Sequence, residues 1–131
     1  MTTTPTAPNE KADLEEVATP AWLCPTAETP RERVQTMALR MTALVESFPT
    51  LVGLAGVRPW DAVQFDLNRG LSHGGRCAQQ FVLSVWNPST STMPRGKGWR
   101  CGRFDLQDAL CVWDDRHRRA FLAWASQPWW P

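Results

Sequence analysis

Between Thr29 and Pro49 the apolar residues Val34, Met37, Ala38, Met41, Leu44, Val45 and Phe48 recur at three- and four-residue spacing, a pattern that places them together on one face of a helix. Arg33, Thr36, Arg40 and Ser47 fall largely on the opposite side. The start is also written in the residues. Thr29 is a capping residue, Pro30 suits the first helical position, and Glu32 completes a capping box. Pro49 closes the helix.

The same reasoning extends down the chain. Residues 50–57, TLVGLAGV, are apolar but carry two glycines and are read as irregular. Trp60, Val63, Leu67 and Leu71 follow helical spacing, with Asp61 in the first turn and Gly70 as the stop. Ser72 caps a further helix with Cys77, Ala78, Phe81, Val82, Val85 and Trp86 on its apolar face, a pattern that Leu83 breaks. Residues 89–102 are expected to form a long loop. Asp105 and Asp108 then begin a helix carrying Leu106, Ala109, Leu110 and Trp113, expected to be central. Asp114 and Asp115 begin a last one with Ala120, Phe121 and Trp124 facing inward, ended by Pro128.

The expectation is therefore an all-α fold, a compact bundle of about five helices, two of them short, with a long basic loop. Residues 1–20 mix Thr, Pro, Ala and acidic side chains without apolar periodicity and are expected to be a disordered acidic tail, leaving residues 21–131 as a single helical domain. Ala21 to Pro25 is expected to pack on that domain as an extended arm. Eight Trp, five Phe and no Tyr predict a Trp-rich core or Trp-rich interfaces, since Trp brings both a large apolar area and an indole N–H that needs a partner.

Charge and cysteine usage bound the setting. Residues 1–30 carry a net −4, so the remainder carries +5 within a total of +1. That balance favours anionic partners but is far from that of a strongly basic nucleic-acid protein. The first residues lack the basic start and apolar stretch of a leader, and no apolar run approaches the roughly 18 residues of a membrane span. A cytoplasmic protein is expected, with Cys24, Cys77, Cys101 and Cys111 reduced and no membrane partner.

The most suggestive segment is Arg95-Gly96-Lys97-Gly98-Trp99-Arg100-Cys101-Gly102-Arg103, four cations and one aromatic among three glycines. Backbone amides of such a loop approach phosphates closely, the cations supply charge, and Trp99 can stack on a base. It matches neither G-x-x-x-x-G-K-[ST] nor G-x-G-x-x-G after a strand, and a solvated charged loop with Trp99 tucked onto the core is the reading the motif favours. Arg116, Arg118 and Arg119 form a second basic group, for which Asp114 and Asp115 offer local partners. Binding gains support if the two groups share one surface.

His73 and Cys77, at i and i+4 of a helix, have a spacing that suits two ligands of one metal, with Cys101, Cys111 and His117 as possible completions. No C-x₂-C or H-x₃-H pair accompanies them, and both Cys77 and Cys111 lie on apolar faces, so structural thiols are expected and no metal or cofactor. Read as nucleophile and base, the pair lacks an orienting third group. No catalytic residue is expected. Trp129 and Trp130 either seal the core or anchor a partner.

The expected function is accordingly a non-enzymatic binding or accessory protein. Its surface is made from Arg95, Lys97, Trp99, Arg100, Arg103, Arg116, Arg119, Trp129 and Trp130, and it engages a protein partner or a second copy. The alternative is nucleic-acid binding through residues 95–103. A small Cys- or metal-dependent enzyme is the third reading.

Overall fold

The computed structural model describes residues 29–94 and 96–131. The expected tail, the arm at Ala21 to Pro25, Cys24 and Arg95 lie outside the described residues. The chain divides into two compact units, residues 1–34 and 35–131. The described part of the first is the opening of helix α1, Pro30–Glu46. Its capping box forms as expected. The Thr29 hydroxyl accepts the Glu32 N–H at 3.1 Å, and Glu32 Oε2 accepts the Thr29 N–H at 3.2 Å.

The second unit carries the remaining helices: α2 (Ala62–Asp66), α3 (His73–Trp86), α4 (Pro88–Ser91), α5 (Leu106–Val112) and α6 (Asp115–Ser126), with a single 3₁₀ turn at Pro49–Leu51. No strand occurs among the described residues, and the fold is helical. No helix among them is long and apolar enough to cross a membrane.

Ser72, Asp105 and Asp114 start their helices where the sequence places them, whereas Asp61, expected within a first turn, is itself the cap of α2. Asp61, Ser72, Asp105 and Asp114 each accept a backbone N–H from the first turn that follows. Asn87 does the same for α4, with Pro88 in the first position, so the start of the expected long loop is one helical turn. Asn87-Pro88 ends α3 and begins α4 at once.

Helix α3 is the centre of the unit. The 3₁₀ turn, α2, α4 and α5 all pack on it. Burial therefore extends around nearly its whole circumference, and Leu83, which breaks the one-sided pattern, is fully buried. Gln79, also buried, is satisfied by donating to the carbonyls of Phe65 and Asn68 at 2.9 and 3.3 Å.

The expectation that α5 is central is corrected. Leu106, Leu110, Cys111 and Val112 are exposed, and Ala109 alone is buried within it. Two turns laid on α3 offer one narrow inward stripe, and the bulk comes from Trp113 just beyond the helix, whose indole N–H donates to the Gly74 carbonyl at 2.9 Å. The helix expected from the spacing of Trp60, Val63, Leu67 and Leu71 is corrected too, since α2 ends at Asp66 and not at Gly70. Val63 and Leu67 are exposed, whereas Ala62, Phe65 and Asp66 are buried, because a five-residue helix has one inward side and Phe65 occupies it. On α1, Val34 is exposed and full burial begins at Met41.

The interior is aromatic. Phe48, Phe81, Phe104, Trp113, Phe121 and Trp124 form a connected set with ring centroids 5.1 to 6.5 Å apart. Trp60 bridges Phe65 and Trp86 at 5.3 and 5.7 Å.

Candidate functional site

A cleft of about 720 Å³ lies between α3 and the segment that follows α4, within the usual range of ligand sites. From α3 come His73, Arg76, Cys77 and Gln80, spaced so that one helix face looks into it. Met93, Pro94, Gly96 and residues 98–103 close the other side and Asp108 of α5 one end.

The closing segment is held by backbone contacts that need particular residues. Asp66, buried at the end of α2, accepts the N–H groups of Arg100 and Cys101 at 2.7 and 2.9 Å. Gln80 donates to the Cys101 carbonyl at 2.6 Å, and Arg103 to that of Thr92 at 3.0 Å. Gly98 permits a close passage, since a Cβ there would stand 2.7 Å from the Thr90 carbonyl oxygen.

Electrostatically the cleft is cationic with unused donors. The guanidinium groups of Arg76 and Arg100 take part in no ion pair among the described residues. Both also line an adjoining cavity of about 340 Å³ that Arg69 enters. Two residues that line the cleft also carry a fully enclosed donor, the Ser91 hydroxyl and the Trp99 indole N–H, with no partner among the described residues.

At the end bounded by Asp108, three side chains converge. Asp108 Oδ2 lies 2.8 Å from His73 Nε2 and 3.6 Å from Cys77 Sγ. The hydrogen bond from His73 holds the Asp108 carboxyl below the usual range. Burial, followed by the bond to Asp108, pushes the Cys77 thiol up to about 11, and burial, followed by the Asp66 charge, pushes Cys101 up to about 12. In this state Cys77 is a neutral thiol that donates to a carboxylate, with His73 on that carboxylate and not on the sulfur. That is the opposite of an imidazole-activated nucleophile.

The residues singled out in the sequence separate into groups. Trp99, Arg100 and Arg103 line the cleft, whereas Lys97 is exposed and does not. Arg116 and Arg119 are exposed on α6 and do not line it either; Arg119 donates to the Asp115 carbonyl at 3.3 Å, and Arg118 to that of Leu110 at 2.9 Å. Trp129 packs against the core with Arg40 above its ring at 4.2 Å, and its carbonyl accepts the Trp124 indole N–H at 3.0 Å. Trp130 meets Trp124 edge-on at 5.3 Å while remaining 55% exposed, beside an apolar groove that includes Phe121.

His117 and Cys111 stand apart from His73 and Cys77. Cys111 is exposed, and His117 is buried with Nδ1 2.7 Å from Asp114 Oδ1 and Nε2 2.8 Å from the Thr50 hydroxyl. The Thr50–His117–Asp114 chain has the order of contacts of a nucleophile–base–acid relay. Asp114 also accepts the His117 N–H at 2.9 Å as the cap of α6, and the imidazole stacks against Trp113, so capping and packing account for every member.

Arg76, Asp66 and Asp108 are the site residues that sequence reasoning missed. Arg76 carried a signal, a cation one residue before Cys77 on the polar side of α3. Asp108, 31 residues beyond Cys77, was legible only as part of a helix start. No protein-family model matches this chain, and no curated protein or solved structure matches it either.

Proposed function

We propose that this protein is a non-enzymatic binding protein whose cleft between α3 and residues 98–103 holds an anionic, phosphate-type group of its ligand. The observation that carries this reading is the convergence of Arg76 and Arg100, neither ion-paired among the described residues, on one cleft. A planar guanidinium paired with phosphate oxygens gives short charge-assisted bonds to an anion that offers only acceptors.

A compact phosphate group suits the cleft better than a nucleic-acid strand does. Trp99 is half-buried against the core with its N–H enclosed, so it is no free stacking platform, and the second basic group on α6 does not extend the cleft.

Calorimetric titration with inorganic pyrophosphate, and separately with a single-stranded oligonucleotide, tests the reading. Saturable pyrophosphate binding that weakens as salt rises is expected, reduced about tenfold or more by either Arg76→Ala or Arg100→Ala. Pyrophosphate binding that is absent, or that ignores both substitutions, overturns it. Tight binding of the oligonucleotide alone transfers the assignment to nucleic acid.

A further inference from the structure

We infer that His73, Cys77 and Asp108 form a zinc-binding site at the Asp108 end of the cleft. One ligand atom from each, Nε2 or Nδ1 of His73, Sγ of Cys77 and a carboxylate oxygen of Asp108, can be chosen so that all lie within 4.8 Å of one another. A tetrahedral ion with bonds of roughly 2.0–2.3 Å needs its ligands about 3.3–3.7 Å apart. The Cys77–Asp108 distance of 3.6 Å already meets this. The His73–Asp108 distance of 2.8 Å must open slightly, and both side chains have room to move because they are 60% and 45% exposed.

The scaffold fixes the three groups independently of any ion. His73 and Cys77 are one helical turn apart on α3, which starts at the Ser72 cap. Asp108 is held in the first turn of α5 by donating its N–H to the Asp105 carboxylate at 3.1 Å. Cys77 is buried and anchors the site from below, while the more exposed pair leaves an approach from solvent.

The donor set chooses the metal. One imidazole nitrogen, one thiolate and one carboxylate suit zinc, whereas magnesium and calcium prefer oxygen alone. Binding replaces the Cys77 S–H bond by a sulfur–zinc bond, and the proton leaves to solvent. Three protein ligands leave the fourth tetrahedral position open. All three residues line the cleft, so that position is available to water or to a group lodged there. This site stands or falls independently of anion binding.

The test is titration of chelator-treated full-length protein with Co²⁺ and then Zn²⁺. One equivalent of Co²⁺ should give visible d–d bands and a sulfur-to-metal charge-transfer band, both abolished by one equivalent of Zn²⁺. Cys77→Ser should remove the charge-transfer band. His73→Ala and Asp108→Asn, at exposed positions where the fold tolerates change, should weaken zinc by at least the roughly 10–100-fold that loss of a mere supporting group costs. A variant with both Cys24 and Cys111 changed to Ser should keep the full spectrum. The inference is overturned if no saturable spectrum appears, if the charge-transfer band survives Cys77→Ser, or if folded His73→Ala binds zinc as tightly as the unmodified protein.

Discussion

Replacing Asp66 by Asn removes one acceptor from the point where α2 grips the cleft-closing segment. Its two oxygens receive the N–H groups of Arg100 and Cys101 at 2.7 and 2.9 Å, and the residue is 7% exposed. A hydrogen bond to a carboxylate contributes about 1.5–3 kcal/mol, and an amide left buried without an acceptor costs about 1–3 kcal/mol. Asn keeps one carbonyl oxygen but turns an NH₂ donor toward the other N–H. The expected cost is thus about 2–4 kcal/mol, a large share of the roughly 5–15 kcal/mol that holds a domain together. At about 4–8 °C per kcal/mol for a chain of this folded length, Tm should fall by roughly 10 °C or more. Urea unfolding at pH 7, followed by Trp fluorescence, measures the free energy, and amide exchange at Arg100 and Cys101 locates it. Asp66→Ala, which loses both acceptors, should cost more than Asp66→Asn. A change below about 0.5 kcal/mol, the range of ordinary surface substitutions, or unaltered exchange at those two amides, would refute the tethering role.

Two further predictions concern the backbone and pH. Gly56→Ala should destabilise by at least about 2 kcal/mol more than Gly53→Ala in the same urea assay. Both glycines have positive φ, +80° and +84°, but only at Gly56 would a Cβ strike backbone, the Phe65 nitrogen and the Asp61 carbonyl oxygen, so equal costs would disprove the contact. Stability should also fall as pH rises from about 9 toward 12, because the folded state holds Cys77 and Cys101 as thiols up to about 11 and 12 while the unfolded chain releases those protons near about 8.5. The raised folded values make the thiol contribution complete below the unfolded value and progressively lost above it. The chain has no Tyr to blur that window, and Cys101→Ala should flatten the slope; an urea midpoint equal at pH 7 and pH 10 would contradict the assignment.

Much of the fold was legible because helix starts are local chemistry. Thr29, Asp61, Ser72, Asp105 and Asp114 each bind an N–H two or three residues away, so the information lies within one turn of chain. Which helix lies at the centre was not legible. Leu83 looked like an error in a one-sided pattern, yet α3 has neighbours on several sides, and a helix packed all round loses the periodicity by which burial is read. For the same reason the richer apolar content of α5 misled, since exposure of Leu106 and Leu110 depends on what the fold leaves uncovered.

The site divides along the same line. Its loop half, Trp99 to Arg103, stood out by composition, and His73 and Cys77 by helical spacing. Separations of 31 residues from Cys77 to Asp108 and 34 from Asp66 to Arg100 leave no periodic trace, because spacing carries information only within an element. The sequence by itself determined that the fold is helical, where most of its longer helices start, and that residues 95–103 carry charge among glycines. Only the tertiary structure decided that α3 is the axis, that Arg76 and Arg100 face one cleft, and that a carboxylate from α5 meets His73 and Cys77, since each of these requires helices to be packed before the side chains can meet.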